Sequence, residues 1–236
     1  MSEYNYYLNI PSKGLTSPTT WGSRDSIIGM MKKIMTNYGS YIKTAASNAK
    51  LPPSVIASFI AVESGGNPTA GGSGSVTQGL MQWNRTFAKS FLEAEKSLGR
   101  LTPDEEATLA KYGIKFDAAG KTRAITQADQ VKPELNILIG SILLGQYVDS
   151  YYEAPKKDKT PWGIDSGNNL RLDRIIGVYN AGAYGGIGKK ARTANYGSAS
   201  QMSANVPEPT KSYIKKMLGT NGSMDVATKE LADLFA

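Results

Sequence analysis

The most constraining feature of this chain is the run from Leu135 to Val148, fourteen residues that are apolar on almost every side. Only Asn136, Gly140, Ser141, Gly145 and Gln146 interrupt it. A bilayer span needs roughly 18 or more apolar residues, so the stretch is expected to be a helix buried within the protein over Pro133–Tyr152. A helix without a polar face must be enclosed by other elements. Strand-like alternation and internal repeats are both hard to find, so its enclosing partners should be helices. The expected fold class is mostly α: a single globular domain.

Those partners can be read from spacing. Ile27, Met31, Ile34, Tyr38, Tyr41 and Ala45 recur at three and four residues behind Ser23, a suitable N-cap. Leu51-Pro52-Pro53 breaks the chain, and Pro53 suits the first turn of a second helix. That helix carries Val55, Ile56, Phe59, Ile60 and Glu63, and Gly65-Gly66 should stop it. A loop of Gly, Ser and Thr covers Gly66–Gly79. Residues 89–130 read as a partly acidic helical insertion, with Thr102 capping a helix that begins at Pro103. A further helix is expected over Leu170–Asn180, ending at Gly182, followed by a loop from Gly185 to Asn205. Short helices over Thr210–Leu218 and Ser223–Phe235, the latter capped by Ser223, should complete the fold. Residues 1–22, with Gly14, Pro11 and Pro18, read as an extended arm ahead of a domain covering 23–236.

Composition then removes whole chemistries. Among 236 residues there is no cysteine and no histidine. Disulfides, thiol nucleophiles, thiolate zinc sites, Ser-His-Asp triads and imidazole bases are excluded. Carboxylates, lysines, tyrosines and hydroxyls remain. The net charge is +7 and the pI about 9.3, a balance that suits a polyanionic partner. The basic residues are scattered and do not interleave with aromatics, so no nucleic acid is expected. The glycine-rich Gly182–Lys190 segment lacks the P-loop pattern, having Ala183 and Lys190 where glycine and Ser or Thr belong. Asp129, Glu134, Asp149 and Asp173 are dispersed, so neither a metal nor a cofactor is expected. The first residues lack a basic region followed by an apolar core and are not read as a secretory signal.

Glu63 is the strongest candidate for chemistry. It closes an apolar helical stretch and faces a glycine-rich loop. Desolvation and the negative end of the helix dipole would both raise its pKa, as a proton donor near neutral pH requires. The alternative is an exposed glutamate beside a helix-ending turn.

Four segments taken together resemble the soluble lytic transglycosylases, a peptidoglycan-cleaving family with a goose-type-lysozyme-like fold. They are Glu63-Ser64-Gly65-Gly66-Asn67-Pro68, Gly79-Leu80-Met81-Gln82, Asn136-Ile137 with Gly140, and Tyr179-Asn180-Ala181-Gly182. The resemblance covers about 51–218. It implies Glu63 as catalytic acid/base, with Ser64, Ser73, Gln82, Tyr179 and Asn180 at the substrate, Tyr179 hydrogen-bonding near Glu63. It also implies structural roles for Asn136 and Gly140. The chain departs from the family where Gln82 is followed by Trp83-Asn84-Arg85, and where Pro209 replaces an expected glutamate in Pro207–Tyr213. Either Trp83 or Asn84 could then contact sugar.

The reaction implied is cleavage of the β-1,4 bond between N-acetylmuramic acid and N-acetylglucosamine, leaving 1,6-anhydromuramyl ends. Alternatives are a lysozyme-like hydrolase, using Asp173 or an acid of the insertion as base, and a structural virion or secretion component with a vestigial cleft. Peptidoglycan strands are the expected partner at the cell wall or periplasm. Delivery is expected as a phage virion or lysis protein, or with secretion machinery, the arm at 1–22 attaching to tail, core or secretion proteins.

Overall fold

The structure, a computed structural model, describes residues 15–149, 170–182 and 199–235. The calls on Met1–Gly14, on the end of the buried helix beyond Asp149 and on the Gly182–Lys190 segment past Gly182 fall outside these residues.

α1 spans Arg24–Asn48, and the Ser23 hydroxyl accepts from the Ser26 amide at its start. α2 spans Pro53–Ser64 and ends at Gly65, whose φ of 60° is the left-handed cap that glycine takes without steric cost. α3 (Arg85–Ser97) begins at Asn84, which caps the Thr86 and Phe87 amides. α4 (Pro103–Lys111) begins with a capping box in which Thr102 and Glu105 satisfy each other's backbone amides. α5 is the short Gln127–Gln130 turn, and α6 is the buried helix, Pro133–Asp149. α7 (Leu172–Ala181), α8 (Ala199–Asn205), α9 (Thr210–Leu218), α10 (Ser223–Lys229) and α11 (Ala232–Phe235) follow. Pairing of extended backbone among the described residues is limited to isolated bridges, Thr16 with Thr220 and Thr77 with Asn84. The architecture is mostly α.

α6 is enclosed as its sequence requires: α1, α4, α5 and α7 pack around it, and Leu135, Ile137 and Leu144 are fully buried. Gly140 lets the loop come close, since a Cβ there would lie 2.5 Å from Met81 Sδ. α2 packs against α1, α9 and α10, with Ile56, Phe59 and Ile60 inaccessible to solvent. No helix among the described residues is long and apolar enough to cross a membrane.

Several expectations need correction. Within the expected loop Gly185–Asn205, residues 199–205 form α8, because Met202 and Val206 are buried against the core. Ser223 is not a cap: Gly222 takes that position, and Ser223 is the fully buried first residue of α10. The last helix is two helices, broken where Leu231 turns into the core. The described end of the N-terminal arm is docked. Leu15 is buried, Thr16 pairs with Thr220, and Lys216 Nζ sits 5.5 Å over the Trp21 ring. The segment 89–130 contributes Leu92, Leu109 and Ile114 to the core, all fully buried.

Candidate active site

Glu63 sits in the last turn of α2, half-buried above Phe59. Two tyrosines flank that phenylalanine, with ring centroids at 4.8 Å for Tyr179 and 6.3 Å for Tyr213. The apolar surround raises the Glu63 carboxyl to about 7, because desolvation penalises the charged form. A hydrogen bond from Tyr213 and the positive charge of Lys216 oppose that rise without cancelling it. The Tyr213 phenol donates to Glu63 Oε1 at 2.6 Å. Both tyrosines are themselves held well above their ordinary value, chiefly by burial and then by the neighbouring Glu63 charge. They are therefore neutral donors throughout the physiological range.

A cleft of about 510 Å³ opens beside the carboxyl. Its lining includes polar Glu63, Gln82 and Asn180 and apolar Phe87, Leu143 and Tyr147. The wall carrying Gln82 is fastened to α6 by one residue. Asn136, fully buried, accepts from the Met81 amide at 2.8 Å and donates to the carbonyls of Gln78 at 3.1 Å and Gln130 at 2.7 Å. Gly79 makes this grip possible: with φ at 88°, a Cβ would fall 2.2 Å from the Gln130 carbonyl oxygen. Gln82 holds a left-handed φ of 49°, and its amide donates to the carbonyls of Ala70 and Gly79 at 2.9 and 2.7 Å. Such a conformation costs a non-glycine residue about 1–3 kcal/mol, offset here by the two bonds that close the loop.

Of the residues named from sequence, the structure brings Glu63, Gln82, Tyr179 and Asn180 to one cleft. Ser64 is turned back onto its own helix, donating to the Ile60 carbonyl at 3.0 Å and accepting from the Gly66 amide at 3.2 Å. Ser73 is exposed on the loop and does not line the cleft. Tyr179 lies near Glu63, but its hydroxyl donates to the Met81 carbonyl at 2.6 Å. Asn180 Oδ1 accepts from Thr210 Oγ1 at 2.8 Å, tying α7 to the start of α9. Both Trp83 and Asn84 line the cleft, though Trp83 is buried and donates through Nε1 to the Asn136 carbonyl at 2.9 Å. Tyr213 is the residue that sequence reasoning missed. Its signal was the tyrosine closing Pro207–Tyr213, obscured by the departure at Pro209.

Asp173 is buried and bound to Arg171 by two hydrogen bonds of 3.0 and 2.8 Å. Acids of 89–130 are engaged elsewhere: Glu93 with Lys89 and Lys121, Glu106 with Lys96, and Asp129 with Arg123. Among the described residues, Glu63 is the only acidic side chain lining the cleft.

The helical architecture thus places a half-buried carboxyl, raised to about 7, in a cleft lined by aromatic residues. Residues 40–114, about a third of the chain, match the family described as the transglycosylase SLT domain. That match supports the SLT family, an activity of the transglycosylase type, and peptidoglycan as the material acted on. Together with the helical architecture it agrees with a lysozyme-like all-α fold. The matched stretch includes Glu63 and Gly79–Gln82, and runs on through α3 and α4. Asn136, Tyr179, Asn180 and Tyr213 lie beyond it. No curated protein matches the chain.

Proposed function

We propose that this protein is a peptidoglycan lytic transglycosylase in which Glu63 serves as both acid and base. The observation that carries the reading is that, among the described residues, Glu63 is the only carboxyl lining the cleft, with a pKa raised to about 7. Glycoside hydrolysis ordinarily uses two carboxyls, one as acid and the other as base or nucleophile. A transglycosylase needs only one. Protonated Glu63 gives its proton to O4 of N-acetylglucosamine as the glycosidic bond to muramyl C1 breaks. The resulting carboxylate then takes the proton of the muramyl C6 hydroxyl as that oxygen attacks C1, closing a 1,6-anhydro ring. The nucleophile belongs to the same sugar, so its effective concentration is high and no water needs activating. A pKa near 7 suits a group that must give and then accept a proton. Tyr213 holds Oε1 in place and stabilises the ionised stage. Cleavage of this kind takes place at the cell wall, and delivery with a phage particle, as a lysis protein or through secretion machinery is the setting this reading carries with it.

The test is mass spectrometry of purified peptidoglycan digested by the wild type and by Glu63→Gln. Anhydro-muropeptides from the wild type alone are expected. Reducing-end products would replace this reading with hydrolysis, and full activity of Glu63→Gln would remove Glu63 from the mechanism.

A further inference from the structure

We infer that Phe87 is a glycan-stacking residue of this cleft, a role that rests on the proposed function and adds a specificity determinant to it. Phe87 stands at the start of α3, two residues beyond the Trp83-Asn84-Arg85 run where the chain departs from the motif that precedes it. Its place is fixed twice. Asn84 Oδ1 accepts from the Phe87 amide at 3.3 Å and from the Thr86 amide at 2.9 Å, pinning the first turn. One turn later Phe91, which is buried, stacks on the Phe87 ring with centroids 5.9 Å apart and planes 15° from parallel. The ring is thus held flat against the core, yet Phe87 remains half-exposed and lines the same cleft as Glu63.

Covering the exposed part of that rigid aromatic face would remove apolar surface from water. The occupant is set by what surrounds it. The cleft lining combines apolar Phe87, Leu143 and Tyr147 with polar Glu63, Gln82 and Asn180. A pyranose ring has the matching division: an apolar face of axial C–H bonds, and a rim of hydroxyl and acetamido groups. An N-acetylhexosamine laid on Phe87 would cover the ring and leave its polar rim to meet the polar groups of the lining. Because the ring is already immobilised by Phe91, binding costs no side-chain entropy there.

The test measures binding of glycan strands in a Glu63→Gln background, where strands are not expected to be cut. Strands are prepared from peptidoglycan both with and without their stem peptides. Phe87→Leu, which keeps an apolar side chain against Phe91 but loses the flat face, should weaken binding of peptide-free strands about tenfold. Phe87→Trp should restore it. Equal binding by Phe87→Leu overturns the inference, as does a loss confined to peptide-bearing strands, which would place the stem peptide on the ring. Failure of the parent to bind any strand overturns it together with the proposed function. Binding that depends on Phe87, in a protein whose wild type yields no anhydro product, would sink the proposed function alone.

Discussion

The Tyr213 phenol reaches Glu63 Oε1 at 2.6 Å across 150 residues of chain, so α9 supplies the hydrogen-bond partner of an acid on α2. Burial raises the carboxyl to about 7, and this bond is the largest influence opposing the rise. Cleavage that begins with protonated Glu63 should therefore decline as pH climbs through about 7. Tyr213→Phe removes the opposing bond, so the alkaline limb should move to higher pH. The maximal rate should fall by on the order of tenfold or more, as the ionised stage loses its donor. A pH–rate profile of the two proteins checks both. An alkaline limb that stays put, or moves down, would contradict the assignment.

The same carboxyl makes stability depend on pH. Its folded value of about 7 lies above the ordinary 4.5, so between the two the folded state retains a proton that the unfolded chain has lost. Stability should fall as pH rises across that window and level off above it. Glu63→Gln removes the ionisation and keeps an oxygen for Tyr213. It should be more stable than the wild type at pH 8, by on the order of 2–3 kcal/mol, with the gain disappearing near pH 4.5. Thermal melting of both proteins at several pH values measures this. A gain that is the same at every pH would have another cause.

Asn136 carries three hydrogen bonds that join the Gln78–Met81 wall and Gln130 to α6. Asn136→Ala leaves one amide and two carbonyls buried without partners, each costing about 1–3 kcal/mol. Urea unfolding should show a midpoint lowered by an amount corresponding to about 3 kcal/mol or more, with the slope unchanged. A loss below 1 kcal/mol would mean that water takes over the contacts.

Removal of residues 1–22 should not be neutral. It takes away buried Leu15, the Thr16–Thr220 pairing and the Trp21 ring beneath Lys216. Leu15→Ala alone should cost about 2–4 kcal/mol. A truncated protein that melts with the full chain would show that the docked segment contributes nothing.

What could be read from the sequence follows from the range of the interactions involved. Ser23, Pro53, Gly65 and Thr102 mark helix ends by local chemistry, and the structure starts or stops helices at each of them. The short-range character of Glu63, an acid at the end of an apolar helix, could be read in the same way. The Tyr213 contact could not, because no local pattern records which distant hydroxyl a carboxyl will meet. For Ser64 and Ser73 the motif gave proximity in sequence, but a helix-end hydroxyl bonds most easily to its own backbone. α8 was hidden because Ala199–Asn205 is polar overall, and its one large apolar residue, Met202, acquires meaning only against the core.

The long reach between Glu63 and Tyr213 also has a bearing on synthesis. A ribosome delivers α2 and its acid well before α9, and Thr210, Tyr213 and Lys216 all arrive on that later helix. Until then the carboxyl has neither its phenol nor its neighbouring cation, and Asn180 has no Thr210 to hold α7 in place. The surroundings of the carboxyl are thus completed only once α9 has been made, late in the synthesis of the chain.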